Sequence, residues 1–163
     1  HRDTKGAQFY RCYQFLDAAG NPLIESVSAF ALVDPVTHKL LRPEVFQPFG
    51  VETQPDRVNG CPDPGRLRPP AALVPAGTRR VYWSDTDYNG HLNNTVYADI
   101  LCDFLPGGME GKRLTGFSIS FLKEAMEGED LVVSACAAPG EAWVAAAHQR
   151  GTCFEARATF VEE

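Results

Sequence analysis

Apolar and polar residues alternate with a two-residue period over most of this chain, and one stretch breaks into helical spacing. Gln8 to Leu16 reads as a strand, Asp17 to Pro22 as a turn, and Leu23 to Val33 as a second strand. Asp34-Pro35 breaks that strand, and Lys39 to Leu41 predicts a short third. Between Pro43 and Pro75 lie most of the prolines in the chain. Each removes a backbone donor and fixes φ, so a regular helix or central strand is not expected there, and an extended surface connector is. Arg79 to Ser84 then reads as a strand. Thr95 to Phe104 reads as a helix, with Val96, Ile100 and Phe104 along one side, and Pro106-Gly107-Gly108 ends it. Four strands follow, at Leu114 to Ala125, Leu131 to Ala137, Ala142 to His148 and Cys153 to Val161, with turn residues between them. The pattern predicts an α+β protein with one helix wrapped by a long antiparallel sheet. It divides the chain into strands at 1–42, a connector at 43–77 and a more complete unit at 78–163.

Composition narrows the partners. At 163 residues there is enough apolar content to bury a core. A net charge of −6 and a pI near 5.2 argue against nucleic acid as the principal partner. No apolar run approaches the length of a membrane span, Ala29 to Val33 being too short. His1 to Gly6 reads as neither a signal nor a transit peptide, so a cytoplasmic location is expected. Cysteines at 12, 61, 102, 136 and 153 form no CxxC pair and no ligand-like spacing. They predict reduced, mostly buried thiols, with Cys102, Cys136 and Cys153 as packing residues rather than nucleophiles.

The chemistry concentrates in Tyr82 to Tyr97, where a β-like run feeds a dense polar group and then an amphipathic helix. Asp87, Asn89 and His91 alternate, so a roughly extended backbone would put their side chains on one face. Asn93 or Asn94 is a suitable N-cap. A carboxylate, an amide and an imidazole beside a helix N-terminus suit acyl chemistry. Free N–H groups there stabilise an oxyanion, and the side chains orient or deprotonate water. The competing reading is a capped polar turn without chemistry. A metal site from Asp85, Asp87 and His91 is disfavoured, because the adjacent Asn residues fit hydrogen bonding better. His38, in a turn, and His148, at a strand end, are expected to be exposed.

Ser84-Asp85-Thr86-Asp87, Gly90-His91 and Asn93-Asn94 with Tyr97 resemble the loop-to-helix motif of hotdog-fold thioesterases. Asp87-x-Asn89-x-His91 followed by the Asn pair is most similar to the acyl-ACP thioesterase branch. The resemblance implies a hotdog fold and hydrolysis of acyl-ACP to free fatty acid without a cofactor. It also implicates Glu124, 33 positions after His91 (124 − 91), where the family places a Glu often followed by Cys. Here the neighbour is Ala125, so the carboxylate remains and the thiol does not. A buried Glu124 beside His91 would be a water activator if desolvation raised its pKa; the bland reading has it facing water beside Lys123. The resemblance assigns Asp87, Asn89, His91 and Glu124 to catalysis and the N–H groups of Gly90 to Asn94, with Gly90, Asn93 and Asn94 foremost, to polarising the carbonyl.

Phe9 to Tyr13, Asp17, Gly20 and Ser28 to Val33 resemble the later strands of that family's N-terminal hotdog, whose opening strand and helix are missing here. This second hotdog is therefore expected to be incomplete, through truncation or because another segment supplies the rest, and its uncovered face predicts homo-association. Two alternatives stand beside the acyl-ACP reading: an acyl-CoA hydrolase of the same fold, and a non-catalytic acyl-binding or oligomerisation module. ACP is acidic, so docking calls for a basic surface. Arg66, Arg68, Arg79, Arg80, Lys112 and Arg113 are candidates, and Arg79-Arg80 lies just upstream of the motif.

Overall fold

In the computed structural model, the alternating residues near the N-terminus form a hairpin of β1 (Gln8–Leu16) and β2 (Pro22–Val33), and β2 also pairs with β3 (Leu40–Leu41). The structure describes all residues except 3, 35, 38, 51, 55, 57 and 58, and not the side chains of Phe46 and Gln47. The readings of Pro35 and His38 therefore lie outside the described residues. The hairpin turn is built by Asp17, whose carboxylate accepts the N–H groups of Ala19 and Asn21 at 2.8 Å each. Pro43–Phe49 coils into a 3₁₀ helix rather than an extended segment. Pro43 occupies its first position, where a missing N–H costs nothing. Asn59 binds the hairpin through the carbonyls of Tyr13 and Ser26, at 3.1 and 2.8 Å. These elements belong to a first compact unit, His1–Gly65. Phe9 and Tyr10 are buried in it, whereas Phe15, Leu23, Ile24 and Phe49 are exposed.

The second unit, Arg66–Glu163, carries β4 (Val74–Arg80), α1 (Val96–Asp103), β5 (Lys112–Phe121), β6 (Asp130–Ala138), β7 (Glu141–His148) and β8 (Gly151–Glu162). The five strands form one antiparallel sheet in the order β4-β6-β7-β8-β5, with α1 packed on β7 and β8. β4 starts inside the proline-rich stretch. Pro75 is tolerated because β4 is an edge strand, and its pairing with β6 shifts register between Pro75 and Gly77. A Cβ at Gly77 would lie 2.7 Å from the Phe104 ring, so only glycine fits this approach.

The core joins Tyr97, Ile100 and Leu101 of α1 to Leu131, Val133, Val144 and Phe154 of the sheet. Val96 and Phe104 flank it, partly buried. Tyr97 meets Phe121 and Phe154 edge to face, at 5.3 and 5.0 Å between ring centres. A strand, one helix and four strands, folded so that the helix packs on an antiparallel sheet, is the hotdog fold. The first unit, a three-stranded sheet with no α-helix among its described residues, fits an incomplete second one.

Candidate functional site

β4 delivers the chain to the site at Val81, which is buried and fixed by bonds to Glu129 and Gly128, both 2.9 Å. The strand ends at Arg80 and does not continue to Ser84; Trp83–Asp85 is a 3₁₀ turn. Asp85 causes the change. Its carboxylate accepts the Tyr82 N–H at 2.9 Å and both oxygens take the Arg79 guanidinium, at 2.9 and 3.0 Å. Its carbonyl accepts the Asn93 N–H at 2.9 Å, tying the turn to the approach of α1. Asp85 is a candidate metal ligand and a motif member by sequence, and no local pattern marks it for this role.

Thr86 and Leu92 then pair as a small ladder around the loop Asp87–His91. Asp87 N–H donates to the His91 carbonyl at 2.9 Å, and Gly90 N–H to the Asp87 carbonyl at 3.0 Å. Gly90 has φ of +80°, the left-handed residue that closes a three-residue hairpin loop. The extended backbone expected from alternation is thus a tight turn. Asp87 folds back on Asn89, accepting its N–H at 2.8 Å and its side-chain amide at 3.4 Å. Desolvation opposes the Asp87 charge, but the Asn89 bonds, with help from His91, outweigh it and hold the carboxyl below its ordinary range.

His91 and Glu124 face each other, Nε2 to Oε1 at 3.8 Å, across a cleft of about 160 Å³. Leu92, Asn94, Tyr97 and Phe121 to Lys123 complete its lining; Asp87 and Asn89 do not reach it. The Glu124 side chain is 66% exposed and His91 is 30% exposed, so the burial expected of Glu124 is absent. Burial instead falls on Tyr97, whose phenol desolvation pushes up to about 12, leaving it a neutral wall. Asn93 turns the chain into α1, its side-chain oxygen accepting the N–H and hydroxyl of Thr95 at 3.0 and 2.9 Å. The N-cap position itself falls on Thr95, which makes no side-chain cap bond. The N–H groups of Gly90 and Asn93 are spent inside the loop, whereas Asn94 lies at the cleft.

Arg79 is committed to Asp85 and stacks on Tyr82, while Arg80 is exposed and pairs with Asp130 at 3.2 Å. Cys153 is buried and the other four cysteines are half-buried. Desolvation raises the Cys102 and Cys153 thiols, which suits packing. His148 is buried, not exposed; its Nε2 meets the Glu124 carbonyl at 3.0 Å, a partner no local pattern reveals. Among the described residues no three His, Cys, Asp or Glu side chains group closely enough to hold a metal ion. Nor is any helix there long and apolar enough to cross a membrane.

Residues 77–157 match the family model described as the acyl-ACP thioesterase C-terminal domain. No curated protein shows a significant match. Among solved structures, an acyl-ACP thioesterase from Bacteroides thetaiotaomicron VPI-5482 superposes with a TM-score of 0.74 at 19% identity, over 98% of this chain and 65% of that protein. The 12:0-ACP thioesterase from Umbellularia californica gives a TM-score of 0.72 at 18% identity, over 99% of this chain and 64% of the other. This chain thus spans less than two-thirds of the length of either. The structural likeness establishes the fold. The family match makes 77–157 similar to the C-terminal domain of acyl-ACP thioesterases.

Proposed function

We propose that this chain hydrolyses fatty acyl-ACP thioesters to free fatty acid and ACP. The observation that carries the reading is the His91–Glu124 pair, 3.8 Å apart at a cleft within the stretch related to the acyl-ACP thioesterase C-terminal domain. A water bound between them loses a proton to the pair as its oxygen attacks the thioester carbonyl. The tetrahedral intermediate then collapses, the C–S bond breaks, and the proton passes to the departing sulfur. No covalent enzyme intermediate and no cofactor are needed, since a general base and oxyanion stabilisation suffice for an activated ester. Asn94 at the cleft polarises the carbonyl, because the N–H groups of Gly90, Asn93, Thr95 and Val96 are spent. Asp87 and Asn89, bonded to each other, act on the chemistry by holding the loop that presents His91.

Arg80 is the better placed of the arginine pair to meet an acidic carrier, its exposed bond to Asp130 being exchangeable. Homo-association of the protein, over the exposed apolar residues of the first unit, completes the reading. The test compares hydrolysis of one acyl chain on ACP and on CoA. Faster turnover on ACP supports the proposal, and faster turnover on CoA assigns the acyl-CoA alternative. Turnover of neither leaves a binding module.

A further inference from the structure

Behind the cleft, the three residues that present Glu124 to His91 are gripped by a network the chemistry above does not use. The Glu124 carbonyl accepts from His148 Nε2 at 3.0 Å and from Arg150 Nη2 at 2.9 Å. The Ala125 carbonyl accepts the Leu92 N–H at 2.7 Å, and the Met126 N–H donates to Glu129 Oε2 at 2.8 Å. Glu129 in turn takes a two-pronged bond from Arg150, at 3.2 and 2.9 Å. The Arg150 backbone N–H donates to His148 Nδ1 at 3.0 Å. That bond makes Nδ1 the acceptor, so the proton sits on Nε2 and points at Glu124. His148 is buried to 2% side-chain exposure, an imidazole held in one tautomer with a polar partner on each nitrogen.

We propose that His148, Arg150 and Glu129 are positioning residues that fix Glu124 against His91, the network acting on the backbone of 124–126 rather than on substrate. The inference rests on the reading of His91 and Glu124 as the water-activating pair. Its physical basis is that Glu124 lies beyond the end of β5, where no sheet bonds hold its own carbonyl. An exposed carboxylate on a loose segment would sample many positions. Two charge-assisted or buried bonds to one carbonyl, and a third bond two residues on, remove that freedom before substrate arrives. Cys153 supplies the other boundary, its carbonyl accepting the N–H groups of Leu122 and Lys123 at 2.8 and 3.1 Å.

The test is a double-mutant cycle on acyl-ACP hydrolysis with Arg150→Met, Glu129→Gln, His148→Gln and His148→Leu, each alone and combined with Glu124→Gln. Arg150→Met and His148→Leu are expected to lower kcat on the order of ten- to a hundredfold with KM little changed. His148→Gln keeps a donor for the Glu124 carbonyl and should recover part of that loss. In the Glu124→Gln background the same substitutions should cost nothing further, because the group they position is gone. Equal losses in both backgrounds would overturn the inference while leaving the thioesterase reading intact. If Glu124→Gln alone leaves turnover unchanged, the pair assignment fails instead. Amide exchange supplies a readout independent of activity, and it stands even where His148→Leu does not fold. Arg150→Met and Glu129→Gln, made at partly exposed sites, should speed exchange at Leu92 and Met126 and spare β6 to β8. Unchanged exchange at both amides would overturn the positioning role.

Discussion

Asp87 and Asp17 show how one residue type serves two ends. Each opens a loop whose fourth residue is Gly, each accepts the N–H two residues on, and each donates its own N–H to the carbonyl four residues on. The Asp17 loop joins two strands; the Asp87 loop presents His91. Asp87 therefore holds the loop rather than touching the reacting atoms. Asp87→Ala should lower turnover roughly a hundredfold through misplacement of His91, and an Asp87→Asn side chain, keeping an acceptor, should lose less. The pH sense follows from the Asp87 carboxyl lying below its ordinary value of 3.8. Its contribution to the folded loop is complete above that value and disappears as pH falls through the lower folded value, which acid titration of loop amide shifts would follow. At this scale the approach of His91 to Glu124 at one cleft was legible from the resemblance, while the expected convergence of Asp87 and Asn89 with them is not found. His148 was not legible, because its burial comes from a bond to a carbonyl 24 positions away, and strand alternation carries no trace of that partner.

Among the elements, β1, β2, α1 and β5 to β8 were legible because apolar periodicity records which face meets the core. β4 was not. Its residues include Pro75 and Gly77, and most of its positions are exposed, so its edge pairing with β6 leaves little hydrophobic signature. The 3₁₀ turn after it was hidden for a related reason: the side chain of Asp85, not apolar patterning, sets it. Arg79 was legible as a charge but not as Asp85's partner. Arg79→Glu should accordingly slow every substrate, while Arg80→Glu should slow acyl-ACP and spare a small neutral thioester. Only the Arg80 effect should fade as ionic strength rises. Ile100, fully buried in α1, anchors the helix. Ile100→Ala should destabilise the protein by about 2–5 kcal/mol, read from a urea transition.

For the whole molecule, the hotdog fold of the second unit was legible from element order, and the incomplete first unit from its strands and the absence of an accompanying helical pattern. The exposed Phe15, Leu23, Ile24 and Phe49 of the first unit lead to an expectation of self-association, to be measured by sedimentation. A monomer at all concentrations would remove that part of the account. The central claim is hydrolysis through His91 and Glu124, and steady-state kinetics on one acyl-ACP substrate tests it most directly. The wild-type chain should turn over, and His91→Ala and Glu124→Gln should each lower kcat on the order of a hundredfold or more. Full activity in both variants, or no hydrolysis of either the ACP or the CoA thioester by the wild type, would contradict it.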